Sequence, residues 1–210
     1  MRLYLSSFRL GNAPDRLVTL VGEKRRAAVI LNACDAMSAG DRELRVRQEI
    51  AVMEGLGFQA GELDLRAYAG APARLAEQLA GCGLVWVRGG NSFVLRGAMK
   101  SSGMDDLLRR LLRRDALVYG GFSAAAAVLG PSLHGVELVD DPRAAGDGEI
   151  TWDCLGVLPY SVAPHYRSDH PESAAVEALV QYYIDHAMLF RALRDGQVIV
   201  VDGAREEVVS

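Results

Sequence analysis

Leu117-Val118-Tyr119-Gly120-Gly121-Phe122-Ser123-Ala124-Ala125-Ala126-Ala127 runs from an apolar β-branched stretch into paired glycines, through a serine, and out into alanines. That order predicts a strand, a sharp turn and a helix. The same alternation recurs along the chain. Apolar runs at 3–6, 27–32, 61–65, 84–87, 117–120, 161–163 and 198–201 predict strands. Helical spacing marks 41–55, 72–80, 92–99, 104–114 and 172–187, the second opening on Pro72. Strands that alternate with helices build right-handed βαβ units, so the expected fold is α/β, with a mostly parallel sheet sandwiched by helices. In such sheets ligands and chemistry gather at the carboxyl ends of the strands. The segment 140–149, rich in Asp, Gly and Ala, reads as a surface loop.

Bulk properties narrow the function classes. The 210 residues suffice for one sizeable core, and one domain over 1–210 is expected. Lys and Arg number 23 against 27 Asp and Glu, a net charge of −4 that offers no basic face to nucleic acid. The cationic run Arg109-Arg110 with Arg113-Arg114 reads as a solvated helix face. Three widely spaced cysteines, Cys34, Cys82 and Cys154, make neither a disulfide framework nor a metal motif. No run approaches the roughly 18 apolar residues of a membrane span, and no secretory leader is apparent, so a cytoplasmic location is expected.

The strand–turn–helix at Ser123 has a specific chemical reading. A nucleophile elbow lifts a serine oxygen clear of the sheet and aims the next backbone N–H, here Ala124, at the same space. An ordinary turn with serine as helix cap has the same appearance. A second strand ends in Arg88-Gly89-Gly90-Asn91-Ser92, where Gly90 could supply another oxyanion donor or simply make a tight turn.

A serine nucleophile needs a base near neutrality, which points to histidine. Of the four, His134 and His186 read as structural or surface groups, and His170 lies in a polar loop read as mobile. His165 follows strand 161–163 and Pro164, at a strand end, and is the candidate base. A carboxylate must then fix the imidazole tautomer. Asp169, Asp185, Asp195 and Asp202 are available, and Asp195, before Gly196, sits where a tight loop at a strand end is expected. The order Ser, His, Asp differs from that of α/β-hydrolases. It matches that of amidotransferase-like folds, but their acid stands two residues after the histidine, where this chain has Arg167.

These residues together resemble dipeptidase E, the aspartyl dipeptidases of the S51 serine peptidases. Gly89-Gly90-Asn91-Ser92-Phe93 is similar to that family's Gly-Gly-Asn-Thr-Phe loop, and Tyr119 to Ala126 to its Tyr-x-Gly-x-Ser-Ala-Gly-Ala elbow. Pro164-His165-Tyr166 resembles its Asn-Pro-His-Phe segment, and Leu193-Arg194-Asp195-Gly196 its Leu-Pro-Glu-Gly segment. The resemblance implies Ser123 as nucleophile, His165 as base, Asp195 as the third member, and an oxyanion hole of Gly90 and Ala124. It implies a class I glutamine-amidotransferase-like sandwich, no cofactor and no metal. The expected partner is a small peptide substrate, with no nucleic acid or membrane and a homodimer as a possible assembly. Asn91 and Arg167 are candidates for substrate contact.

Three departures bear on the Asp-X specificity that the resemblance implies. Asp195 stands for glutamate, Ala125 for the elbow glycine, and the sequence ends soon after Val208-Val209, where members that cleave Asp-X dipeptides continue. An incomplete substrate pocket is therefore one expectation. Another acyl hydrolase on the same fold, cyanophycinase-like or an esterase, and a non-catalytic binding module are the alternative readings.

Overall fold

The computed structural model describes residues 1–146 and 148–210. Five parallel strands form the body of a seven-stranded sheet. In sheet order they are β3 (Gln59–Glu62), β2 (Arg26–Ile30), β4 (Leu84–Val87), β5 (Val118–Phe122) and β1 (Arg2–Ser6). β8 (Val198–Asp202) adds antiparallel to β1, and the hairpin partner β9 (Arg205–Val209) closes that edge. Helices α1 (Pro14–Val21), α2 (Ala39–Gly55), α3 (Pro72–Leu79), α4 (Ser92–Ser102) and α5 (Met104–Arg113) connect the parallel strands. The one-turn α6 (Ala124–Ala127) follows β5, and α7 (Ser173–Asp185) comes after β6 (Ser161–Ala163).

Successive side chains of a strand point to opposite faces, and the two cores follow that rule. Leu3 and Leu5 enter one apolar layer with Val85, Val87 and Tyr119. Tyr4 enters the other with Leu84, Trp86 and Val118. Burial on both faces explains why these strands read as continuous apolar runs. A third cluster, of Phe93, Leu133, Val136 and α7 residues Val176, Leu179 and Tyr183, packs beyond the carboxyl end of β5.

The structure departs from expectation at several elements. The strand expected at 61–65 ends at Glu62. The Leu65 N–H bonds the buried Asn32 Oδ1 at 3.0 Å instead of a neighbouring strand, and Leu65–Tyr68 coils into a 3-10 turn. Strand β6 does not join the main sheet but pairs in parallel with β7 (Phe190–Ala192) as a separate two-stranded unit. α1 was not expected from the sequence, although Leu17, Leu20 and Val21 stand at helical spacing behind Pro14 and form its buried face. Arg109 is not fully solvated, since its Nε donates to the Leu155 carbonyl at 2.8 Å. The loop expected over 140–149 contains a 3-10 turn, Pro142–Ala145, and Asp147 within it lies outside the described residues. Among the described residues no helix is long and apolar enough to cross a membrane.

Candidate active site

β5 lies between β4 and β1, so the backbone that leaves it emerges at the middle of the sheet's carboxyl edge. There Ser123 takes φ 53° and ψ −113°, a conformation that costs a non-glycine residue about 1–3 kcal/mol. The Ser123 N–H donates to the Ser6 carbonyl at 3.2 Å, which ties the turn to the end of β1. The packing explains the small residues around it. A Cβ at Gly121 would stand 2.2 Å from the Val87 oxygen and 2.6 Å from the Ala125 Cβ. The Ala125 methyl, the departure from the elbow glycine, is therefore accommodated because Gly121 has no side chain opposite it. Tyr119 completes the turn, its hydroxyl donating to the Ala125 carbonyl at 2.9 Å.

The Ala124 N–H opens α6 and has no preceding turn to bond, and Ala124 lines the same pocket as Ser123. With four residues, α6 contributes little macrodipole, so an oxyanion here would rely on individual N–H groups. The Gly89-Gly90 loop approaches from β4. A Cβ at Gly90, where φ is 153°, would stand 2.6 Å from the Ala33 oxygen.

His165 also has positive φ, 61°, and its side chain is 3% exposed. Its Nδ1 lies 2.7 Å from Asp195 Oδ1. An Nδ1–H that donates a hydrogen bond to that carboxylate leaves Nε2 as the basic atom. Burial holds the His165 pKa below the usual histidine value, against the opposing pull of Asp195, so the ring is neutral at neutral pH. Asp195 sits in the turn between β7 and β8 and is itself held: its N–H donates to Ser168 Oγ at 2.8 Å.

Ser7, unread in the sequence, links His165 to Asp195. The His165 backbone N–H donates to Ser7 Oγ at 2.8 Å, and the Ser7 hydroxyl donates to Asp195 Oδ1 at 2.8 Å. Its position directly after β1, at the carboxyl edge of the sheet, was the available signal.

Ser123, Ala124 and His165 line one pocket, together with Ser92, Asp140 and Glu172 and an apolar floor that includes Val176. The pocket is narrow, with about 20 Å³ open to the centre of a water molecule. Two carboxylates face it. Burial raises the Asp140 pKa even though Asp140 accepts the Ser92 N–H at 2.8 Å. Burial also raises that of Glu172, and the neighbouring Asp140 adds to the effect. A larger cavity of about 490 Å³ lies among Arg26, Phe58 and Gln59, at the amino ends of β2 and β3 and away from this chemistry.

The sequence matches peptidase family S51 over residues 12–209. The chain belongs to that family. Among S51 relatives, a Streptomyces coelicolor protein named Peptidase E is 30% identical over 129 residues, 58% of this chain and 49% of its own length. A Drosophila melanogaster "Probable alpha-aspartyl dipeptidase" is 29% identical over 126 residues, 58% of this chain and 50% of the relative. The chain thus spans about half the length of these curated relatives. The crystal structure of a candidate peptidase E protein from Listeria monocytogenes shares the fold, with a TM-score of 0.80 at 21% identity, over 99% of this chain and 97% of that one. A peptidase from an acI-B1 actinobacterium superposes with a TM-score of 0.74 at 14% identity, over 99% of this chain and 86% of that one.

Within this S51 chain the two expected substrate contacts stand differently from the reading of the sequence. Asn91 is occupied locally: its Oδ1 caps α4 through the Phe93 and Val94 N–H groups, and its Nδ2 donates to the Asp141 carbonyl at 2.9 Å. Arg167 is exposed, 3.7 Å from Glu177 and over the Tyr166 ring, and does not line the Ser123 pocket. His170, read as mobile, instead stacks on His165, and Phe8 sets its edge against both rings. His165, His170 and Glu172 bring ligand atoms within 4.8 Å of one another. The imidazole lone pairs lie in the ring planes, and two nearly parallel rings do not converge on one ion.

Proposed function

We propose that this protein is a serine-type peptidase of the peptidase E kind, acting on short peptides with a free amino terminus. The observation that carries the reading is the 2.7 Å His165–Asp195 bond in the wall of the pocket that holds Ser123 in its strained turn. In this reading Ser123 Oγ attacks the peptide carbonyl carbon while Nε2 of His165 takes its proton. The oxyanion is held by the N–H groups of Ala124 and Gly90. The imidazolium, stabilised by Asp195, gives the proton to the departing amine as the C–N bond breaks. Water, deprotonated by the same Nε2, then releases the acyl group and restores Ser123.

The pocket chemistry argues about substrate. An acidic first residue, as the name of the Drosophila relative indicates, calls for a cation beside Ser123. Among the described residues, those that line this pocket include Asp140 and Glu172 and no Lys or Arg. That supports recognition of a positive group, the α-ammonium of the substrate, and its apolar floor and small volume support a small uncharged first side chain. The test is turnover of a panel of dipeptides, with Asp-X among them and Ser123→Ala as control. Hydrolysis of Ala-X or Gly-X above Asp-X, lost in the variant, is expected. Equal turnover by Ser123→Ala would sink the nucleophile, and a preference for Asp-X would sink the pocket argument.

A further inference from the structure

On the other side of the serine, across Phe122, lies a groove of about 470 Å³ that the chemistry above does not use. Its walls include Phe8 and Phe122, and its polar groups are Arg9, Arg45, Arg88, Gln48 and Glu49. The groove adjoins the reaction centre through both aromatic rings. Phe122 immediately precedes Ser123, and Phe8 packs edge-on against His165 with centroids 5.7 Å apart. Arg88 immediately precedes the Gly89-Gly90 loop.

The charges in this groove do not cancel. Glu49 is satisfied within the fold: Trp86 Nε1 donates to it at 2.8 Å and Arg88 Nε lies 3.3 Å away. Arg88 also donates to the Gly89 carbonyl at 3.1 Å and lies over the Phe122 ring. Arg88 and Glu49 therefore form a neutral pair in the wall. Arg9 and Arg45 remain, and among the described residues neither has a carboxylate within salt-bridge distance. Two guanidinium groups over a groove walled in part by Phe8 and Phe122 match a ligand with a carboxylate and a hydrophobic body.

We infer that this groove is the leaving-group subsite and that Arg9 and Arg45 bind the terminal α-carboxylate of the substrate. The inference rests on the peptidase reading above and extends it to the other end of the peptide. An acidic pocket on the Ala124 side and a cationic groove on the Phe122 side then flank Ser123 with opposite charge. A dipeptide zwitterion fits that polarity in one direction only, with its scissile carbonyl at the serine. Substrates much longer than the groove would carry the carboxylate past the two arginines and lose the contact.

The experiment compares X-Phe dipeptides, X being Gly, Ala, Ser, Val or Leu, with the same peptides as C-terminal amides. kcat/KM is measured for the native protein and for the Arg9→Gln/Arg45→Gln double variant, and binding of both peptide sets is measured on Ser123→Ala. The expected result is a preference for the free acid of about ten-fold or more, the scale of hydrogen bonds to a charged group. In the double variant the acid-to-amide ratio falls toward one. Turnover with equal kcat/KM for acid and amide would overturn the subsite and leave the peptidase reading standing. No turnover, with Ser123→Ala still binding acids over amides and losing that preference when both arginines are also replaced, would keep the subsite and overturn the peptidase reading. No turnover and no binding preference would overturn both.

Discussion

The imidazole of His170 lies flat on that of His165, with ring centroids 3.7 Å apart and planes 9° apart. The stack covers one face of the His165 ring with a second imidazole. Burial is the larger of the influences that lower the His165 pKa, and His170 adds to it, while Asp195 opposes both. Replacing His170 by alanine removes the cover and the positive partner together, so the His165 pKa rises. The acid limb of the kcat/KM profile then moves to higher pH, and the rate at pH 6 falls several-fold relative to that at pH 8. His170→Phe keeps the cover without the charge and retains most of the native profile. Superimposable profiles for wild type and His170→Ala would show that the stack does not tune the base.

Asp195 and Ser7 hold His165 through its Nδ1 and its backbone N–H. Asp195→Asn keeps the shape but reverses the hydrogen bond, holding the wrong tautomer, and a loss of about 10⁴ in kcat is expected. Ser7→Ala removes the link between the His165 backbone and the carboxylate and leaves a buried N–H unpaired, for a loss of about ten-fold. Single-turnover rates at saturating peptide measure both. An Asp195→Asn enzyme within a few-fold of wild type would remove Asp195 from the mechanism.

Asp140 and Glu172 carry a stability signature. Their folded-state pKa values are raised, so the folded protein binds more protons than the unfolded chain between the ordinary carboxylate pKa and the raised one. Stability from these two groups is therefore lost as pH rises through that window. Asp140→Asn, which can still accept the Ser92 N–H, should raise Tm at pH 8, with the difference disappearing near pH 4. The same change should raise KM for peptides with a free amino terminus by about ten-fold. Thermal melts across pH and a KM series check the two halves separately, and a lower Tm at pH 8 would contradict the burial argument.

Gly121 tests the packing of the elbow. A methyl group there would meet both the Val87 oxygen and the Ala125 Cβ. Gly121→Ala should cost about 1–3 kcal/mol, the usual cost of overpacking. Ala125→Gly should relieve none of this in the native background and cost about 0.5–1 kcal/mol through helix propensity. Urea unfolding measures both. A Gly121→Ala protein as stable as wild type would mean that strand and helix are not in close contact.

Much of the architecture was legible from local pattern. Strand 84–87 and strand 161–163 have the expected bounds, because apolar runs broken by Gly or Pro mark both ends. The strand at 61–65 was misplaced because Leu63 and Leu65 alternate like a strand, yet only the Leu63 N–H still bonds β2, at the Val29 carbonyl, while the Leu65 N–H turns to Asn32, 33 residues away. α2 began at Ala39, two residues earlier than its apolar spacing, since the Ser38 side chain accepts the Asp41 N–H and starts the helix in polar sequence.

The sequence by itself determined the turn at Ser123: a β-branched strand, glycines where backbones touch, and alanines for the helix beyond. It also marked His165 and Asp195 as strand-end residues, since chain order and adjacent Pro or Gly are local signals. Only the tertiary structure decided what surrounds them. Ser7 is 158 residues from His165, and Asp140 meets Ser92 across 48. Arg9 from the loop after β1, Arg45 from α2 and Arg88 from the loop after β4 meet on one groove. Contacts of that separation depend on how the sheet orders its strands, and no local spacing encodes that order. For Ser123 itself, the fold left the serine where the sequence had put it and gave it a neighbourhood: His165 held by Asp195, two carboxylates, and a cationic groove beyond Phe122.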